Sequence, residues 1–267
     1  MSVEEELKEE ELTFWDHLAE LAIRLRRVII FGFAATIAYL VIPASPDDLF
    51  KMARGELYSP LSLYLLERVK SDLLVDVEDK IELIPGTFAA PIELYFQAAI
   101  VLGIITTLPY LAYELYMFLE PGLYPHEKKF LKRFVFGFTI SFLLGSLYGY
   151  YIIMPLTFKI LLVFSGMLDL TNFFNVMSFY ELAFLGVIST GFVFTLPVFL
   201  VLAFKFQVLD PEQLAGIRRY LYFGVFFITA VLTPDPTPIS MLLISLPFIV
   251  LFEVSLWIGR RMVSEGL

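Results

Sequence analysis

Cysteine is absent from this 267-residue sequence, and histidine occurs only twice, at His17 and His126. The first absence excludes disulfides, thiol nucleophiles and thiolate metal sites. The second leaves too few imidazoles for a histidine metal site, and neither lies in an apolar run where an intramembrane serine or zinc protease would need one. No metal and no cofactor is expected. No G-x-x-x-x-G-K-[ST] phosphate loop occurs, which removes ATP hydrolysis by that route. The N-terminus lacks the basic n-region of a cleaved signal peptide, since six of the first eleven residues, "MSVEEELKEEE", are glutamate. Charge is scarce throughout: 18% of residues are charged and 58% hydrophobic, where a soluble domain has about 25% and 45–50%. This balance points to a polytopic membrane protein.

What remains is long apolar runs. Val28–Pro46, Leu94–Tyr113, Phe134–Phe158, Leu182–Phe204, Tyr220–Pro234 and Pro236–Phe252 carry no charge, and the last continues apolar past Glu253 to Gly259. About 20 helical residues cross a hydrocarbon core, so six helical spans are expected, near 25–42, 93–118, 133–158, 181–205, 219–234 and 237–259. They form one integral membrane domain over 1–267, with an outer loop at 43–91. The fifth run is short, with 15 residues rising about 22 Å. A β-barrel also satisfies the backbone in lipid, but it needs short alternating segments, and "FVFGFTISFLLGSLYGYYIIM" is apolar on every side. The expected fold is therefore an all-α polytopic bundle. Within the outer loop, "LYSPLSLYLLERVKSDLL" has apolar residues at helical spacing and reads as an amphipathic helix on the outer surface or capping the bundle.

Six spans put both termini on one side, and lysine and arginine choose it. Thirteen of them fall on the side of the termini, including Arg24, Arg26, Arg27, Lys128, Lys129, Lys132 and Arg133, against six on the other. Both termini are expected in the cytoplasm, in a cytoplasmic membrane. The net charge of −9 resides largely in the N-terminal glutamates and in nine acids between Asp47 and Glu82, which read as a solvated tail and loop. No nucleic-acid partner is expected, whereas the basic rim suits membrane lipids.

Carboxylates near or within spans are the functional candidates: Glu20, Glu114, Glu127, Glu181, Asp235 and Glu253. Each has a plain alternative. Glu20 can pair with Arg24 one turn on, Glu127 with Arg133 or nearby lysines, and Glu253 can reach toward Arg260. Gly145 and Gly149 form a G-x-x-x-G that reads as helix packing. A carboxylate enzyme, a proton-coupled transporter using Glu114, Glu181 and Glu253, and a membrane scaffold all stay open at this level.

The order "HLAELAIRLRR", "FLEPGLYPHEKKF", "MPLTF", "GFVFTLP", "DPEQLAGIRRY", "LTPDP", "LFEVSLWIGR" resembles the TatC family, the multi-span receptor component of the twin-arginine protein translocase. The resemblance covers nearly the whole chain apart from the outer loop and extreme N-terminus. It implies a cup of six helices that is not an enzyme and that exports folded proteins with paired-arginine signal peptides, powered by the proton-motive force. Implied partners are those signal peptides, TatA/TatB-type single-span proteins and further copies of the chain itself. Glu20 and Glu127 match the carboxylates implicated in signal-peptide recognition, with Arg24 at a basic position and Phe118, Pro121 and Leu123 in the loop. Thr195, Asp235, Glu114 and Glu253 are candidates for partner contact or translocation. The sequence departs from the family pattern at Ala22 (usually arginine), Thr195 (often glutamate) and Ile239 (often glutamine).

The lysine and arginine asymmetry sets a topology test. A reporter after Leu267 and one inserted near Gly122 should both register cytoplasm. Labelling of either by an impermeant reagent added outside the cell would rule out the six-span arrangement.

Overall fold

A backbone in lipid must satisfy its own hydrogen bonds, and this chain does so almost entirely with helices. The structure, a computed structural model, describes residues 3–74, 82–122, 125–168, 173–232 and 238–264, with side chains outside 3–14, 125–127, 232, 239–240, 244 and 263–264. In chain order the helices are α1 (Val3–Val41), α2 (Pro46–Ala53), α3 (Leu61–Leu73), α4 (Ala90–Leu119), α5 (Pro125–Tyr148), α6 (Met154–Met167), α7 (Val176–Lys205), α8 (Pro211–Gly216), α9 (Arg218–Leu232) and α10 (Pro238–Ser264). A π-helical turn, Gly149–Ile153, joins α5 to α6 without a break. Among the described residues, four stretches are long and apolar enough to cross a membrane: Ala90–Leu119, Lys128–Met167, Val176–Lys205 and Met241–Met262. The apolar part of α1 is shortened by Arg24, Arg26 and Arg27, and α9 has only 15 residues.

Local chemistry explains the ends and irregularities. Ser45 caps α2, accepting from the Asp48 amide at 3.2 Å and donating to the Asp48 carboxylate at 2.8 Å, with Pro46 in the first turn. Asn175 caps α7 by accepting from Met177 N at 2.8 Å. Pro247 has no N–H to offer the carbonyl of Leu243 four residues back. The hydroxyl of Tyr148 donates to that carbonyl instead, at 2.8 Å, tying α5 to α10. At the π turn the amide of Met154 bonds to Gly149 O, five residues back, just before Pro155.

The principal helix contacts run α1–α4, α4–α5, α5–α7, α7–α10 and α10–α9. This is an open row, with α1 at one edge and α9 at the other. One close joint is between α5 and α7. A Cβ at Gly145 would lie 2.7 Å from Phe194 Cβ and 2.9 Å from Thr190 O, and one at Gly149 would lie 3.1 Å from Thr190 Cβ. From α7, a Cβ at Gly191 would meet Ser146 Oγ at 2.5 Å and Phe142 Cε2 at 2.7 Å. The same device joins α1 to α4 reciprocally, Gly32 facing Thr107 and Gly103 facing Thr36. Thr36 and Thr107 return their hydroxyls to Gly32 O and Gly103 O of their own helices, so neither hydroxyl is stranded in that seam.

The amphipathic segment of the outer loop is α3, and it caps the bundle. Leu66, Val69 and Leu73 are buried in one cluster with Leu94, Ile153, Phe158 and Phe179. Tyr180 donates to Leu66 O at 2.7 Å and Tyr150 to Asp72 Oδ2 at 2.8 Å. The chain before α3 is closed by Ala44 N to Ser59 O (3.0 Å), Leu61 N to Ile42 O (2.8 Å) and Tyr58 OH to Val41 O (3.0 Å). Hydrogen bonds from Ser45, then Lys51, hold the Asp48 carboxyl below its ordinary range and keep it charged in this loop. One feature lies outside the all-helical expectation. Glu82–Ile84 (β1) pairs in parallel with Phe173–Asn175 (β2), Leu83 opposite Phe174. Three-residue strands are too short to leave an alternating pattern in sequence.

Gly145→Leu should therefore force α5 off α7 and cost about 1–3 kcal/mol, the range of core overpacking. A Cβ added at Gly224 of α9 would meet nothing within 4 Å, so Gly224→Ala should be neutral or up to about 1 kcal/mol stabilising. Unfolding midpoints in detergent check both, and equal effects at the two glycines would refute the seam.

Candidate functional site

Two carboxylates and one guanidinium meet where α1 passes the far end of α4. Glu20 and Arg24 are one helical turn apart, so they share a face of α1. Glu20 Oε1 accepts from Arg24 Nε at 2.9 Å and from Nη2 at 2.6 Å. The remaining arm, Nη1, reaches across to Glu114 Oε2 on α4 at 3.3 Å. Glu114 Oε1 accepts in turn from Tyr110 OH at 2.7 Å, one turn back along α4. The Tyr110 ring is set against Phe31 of α1, centroids 4.5 Å apart. Aromatic contact, ion pair and hydroxyl bond thus fix the α1–α4 register at this end.

The two carboxylates differ in access. The Glu114 side chain is 7% exposed and that of Glu20 36%. Both bonds to Glu20 fall on Oε1, and among the described residues Oε2 has no partner. Glu114 serves the helix joint, while Glu20 keeps acceptor capacity facing outward. His17, on the same side of α1, lies 5.9 Å from the ring of Phe118. Beyond Phe118, α4 ends at Leu119 and a 3₁₀ turn, Glu120–Gly122, carries exposed Pro121. Lys128 of α5 bridges back to Glu120 at 3.9 Å. Glu127 is the third residue of α5, a first-turn position favourable to a carboxylate. Its side chain, like Leu123, lies outside the described residues.

Sequence reasoning groups Glu114 with Thr195, Asp235 and Glu253, but Glu114 stands beside Glu20 and Arg24. Thr195 is buried and donates to Phe192 O of its own helix at 2.7 Å. Glu253 does not reach toward Arg260 as its spacing suggests. Instead it accepts a short hydrogen bond from Tyr222 and lies 3.6 Å from Arg218 Nη1. Arg260 pairs with Glu212 at 3.1 Å. The α8–α9 connection brings these partners across to α10, closer than two turns along the same helix. Asp235 and the side chain of Ile239 lie outside the described residues. Tyr110 is the site residue that sequence reasoning misses, although its position four before Glu114 is the signal that could have found it.

The profile of the family described as Sec-independent protein translocase protein (TatC) matches residues 16–247. Among curated relatives, the chain is similar to the Sec-independent protein translocase protein TatC of Halothiobacillus neapolitanus, 32% identical over 92% of this chain. The chain spans only 62% of that relative's length. It is 31% identical to TatC of Aquifex aeolicus, over 74% of this chain and 81% of the relative. With TatCy of Bacillus subtilis it shares 27% identity over 95% and 91%. A solved structure described as the twin-arginine translocase receptor TatC superposes with a TM-score of 0.73 at 27% identity, covering 92% of this chain and 99% of that one.

Removing Arg24 would leave the Glu114 carboxylate buried without its cation. Breaking a buried pair costs about 3–5 kcal/mol, less here because Glu20 is partly solvated. Arg24→Met should therefore lower stability by about 2–3 kcal/mol, and adding Glu114→Gln should restore much of it. A double-mutant cycle on thermal unfolding reads this directly. Additive losses would mean that the two residues do not interact.

Proposed function

The chain belongs to the TatC family, and from that premise we propose that it is the signal-peptide receptor and core subunit of a twin-arginine translocase, exporting folded proteins across the cytoplasmic membrane on the proton-motive force. The observation that carries the recognition step is the outward-facing, half-used carboxylate of Glu20, at the end of the bundle where α5 begins. A guanidinium presents a planar fork that a carboxylate accepts through two parallel bonds, and lysine cannot reproduce that fork. Two separate carboxylates suit a ligand with two adjacent arginines.

Recognition at Glu20 is an exchange. Arg24 already holds Oε1, so an incoming arginine either shares the carboxylate through Oε2 or displaces Arg24 toward Glu114. Glu114 makes that displacement tolerable, because it keeps the guanidinium compensated in either position. By the family resemblance, Phe118, Pro121 and Leu123 belong to the recognition loop of the second carboxylate, Glu127.

The remaining parts of the reading rest on the same premise. Helices α1 and α9 complete six spans with the four long apolar stretches, and both termini face the cytoplasm by the lysine and arginine asymmetry. TatA/TatB-type single-span proteins and other copies of the chain are the protein partners, with Asp235, Thr195 and Glu253 as contact candidates. The short α9 favours local bilayer thinning beside it. A proton relay through Glu114, Glu181 and Glu253 draws less support, since Glu114 and Glu253 are committed to separate clusters.

A charge-assisted hydrogen bond contributes about 1.5–3 kcal/mol, so Glu127→Gln should weaken binding of a twin-arginine peptide roughly ten- to a hundredfold. Glu20→Gln should weaken it less, because Arg24 competes there already. Replacing both peptide arginines by lysine should abolish the preference in wild type. Peptide affinity measured beside thermal stability decides: undiminished binding in both variants refutes the assignment, and a collapse of stability together with binding makes the carboxylates structural.

A further inference from the structure

A groove of about 260 Å³ opens between α5, α7 and α10, with positive charge at its rim. Its wall is apolar, formed by residues such as Phe134, Val198, Val201, Leu251 and Ile258. The hydroxyl of Ser255, also in the wall, is spent on Pro197 O at 2.9 Å and Leu251 O at 2.8 Å. At one end the lining includes Arg133 and Phe130, and Lys205 Nζ lies 5.9 Å from the centroid of the Phe130 ring. Arg133 is near the start of α5 and Lys205 is the last residue of α7, so both cations stand at the end of the bundle that carries the basic residues.

Among the described residues, neither Arg133 nor Lys205 has a carboxylate within 4 Å, whereas Arg24, Lys51, Arg68, Lys128, Arg218 and Arg260 each do. Arg26, Arg27, Lys129 and Lys132 are also without one among those residues, but none of them lines this groove. A larger groove between α1 and α4, about 650 Å³, has no charged residue in its wall. From Arg133 to Ser141, the last α5 residue lining the smaller groove, is eight residues, about 12 Å along the helix. A partner helix is about 10–12 Å across, too wide for this groove to enclose over that length. One flexible hydrocarbon chain fits.

We propose that this groove binds one anionic phospholipid, with its phosphate on Arg133 and Lys205 and an acyl chain along α5, α7 and α10. The guanidinium takes phosphate oxygens through parallel bonds and the ammonium adds a point charge. Both side chains extend from apolar surroundings toward the headgroup layer. A net negative headgroup is favoured over a zwitterionic one, because no ligand ammonium competes for the phosphate. The bound lipid fills the joint between three helices and so bears on their packing, separately from peptide recognition.

The test uses the full chain purified in detergent and mixed with phosphatidylglycerol or phosphatidylcholine of identical chains, reading retained lipid by native mass spectrometry and stability by thermal unfolding. Phosphatidylglycerol should be retained about tenfold over phosphatidylcholine, the factor expected of a charge-assisted bond. Arg133→Gln with Lys205→Gln should remove that preference, while Val201→Phe should reduce retention of both lipids by filling the groove. Arg219→Gln, whose guanidinium stacks on Tyr220 instead, should change nothing. Glycerol phosphate, which has the anion without the chains, should not stabilise. Equal retention of the two lipids by wild type overturns the proposal without recourse to any variant. So does undiminished preference in the double variant, or stabilisation by glycerol phosphate alone, which would make this a simple anion site.

Discussion

The close approach of α5 and α7 is the contact on which the other helices depend. Lipid tails are as apolar as leucine, so burial of apolar surface does little to bring helices together inside a membrane. Van der Waals contact between backbones has to do it. Gly145, Gly149 and Gly191 remove the side chains that would hold the pair apart, and Phe194, Thr190 and Phe142 occupy the space. Because α7 also carries α10, and α5 also meets α4, this joint sets the spacing of the row in both directions. The α1–α4 edge repeats the solution with Gly32 and Gly103, and secures its end with Arg24, Glu20, Glu114 and Tyr110.

Much of this is legible in the sequence, for identifiable reasons. Apolar runs mark helices because a lipid-exposed face cannot alternate. Glu20 and Arg24 can be paired on paper because four residues make one turn. Gly145 and Gly149 can be read as packing from their spacing alone. What the sequence hides is partnership between distant segments. Glu114 is 90 residues from Arg24, and no period or motif links them. Glu253 lies 31 residues from Tyr222, and the basic residue two turns along its own helix, Arg260, serves Glu212. The pairing of Leu83 with Phe174 is invisible for the same reason.

Arg24 gives the site an unequal pair of acceptors. One carboxylate is sunk in the helix joint and the other is held at the rim by the same guanidinium. A single cation can then satisfy the internal joint and still leave an acceptor open to the surroundings. An isolated outward carboxylate would be freer to move, and would lose that freedom at the moment of binding, weakening the complex. Here the orientation is set in advance by a neighbour that the helix joint requires in any case.

The π turn at Gly149–Ile153 has a consequence for rotational phase. Phe142, Gly145 and Gly149 face α7 at intervals of three and four, as a regular helix requires. The next contact is Met154, whose thioether occupies the space over Gly186 of α7, five residues beyond Gly149. Each residue turns a helix by about 100°, so the extra residue lets α6 aim Met154, Thr157 and Phe158 inward while α5 keeps its glycines on the seam. Side-chain changes in this stretch alter a contact, whereas loss of one residue would rotate the whole of α6 against its neighbours. Length there is constrained more tightly than identity.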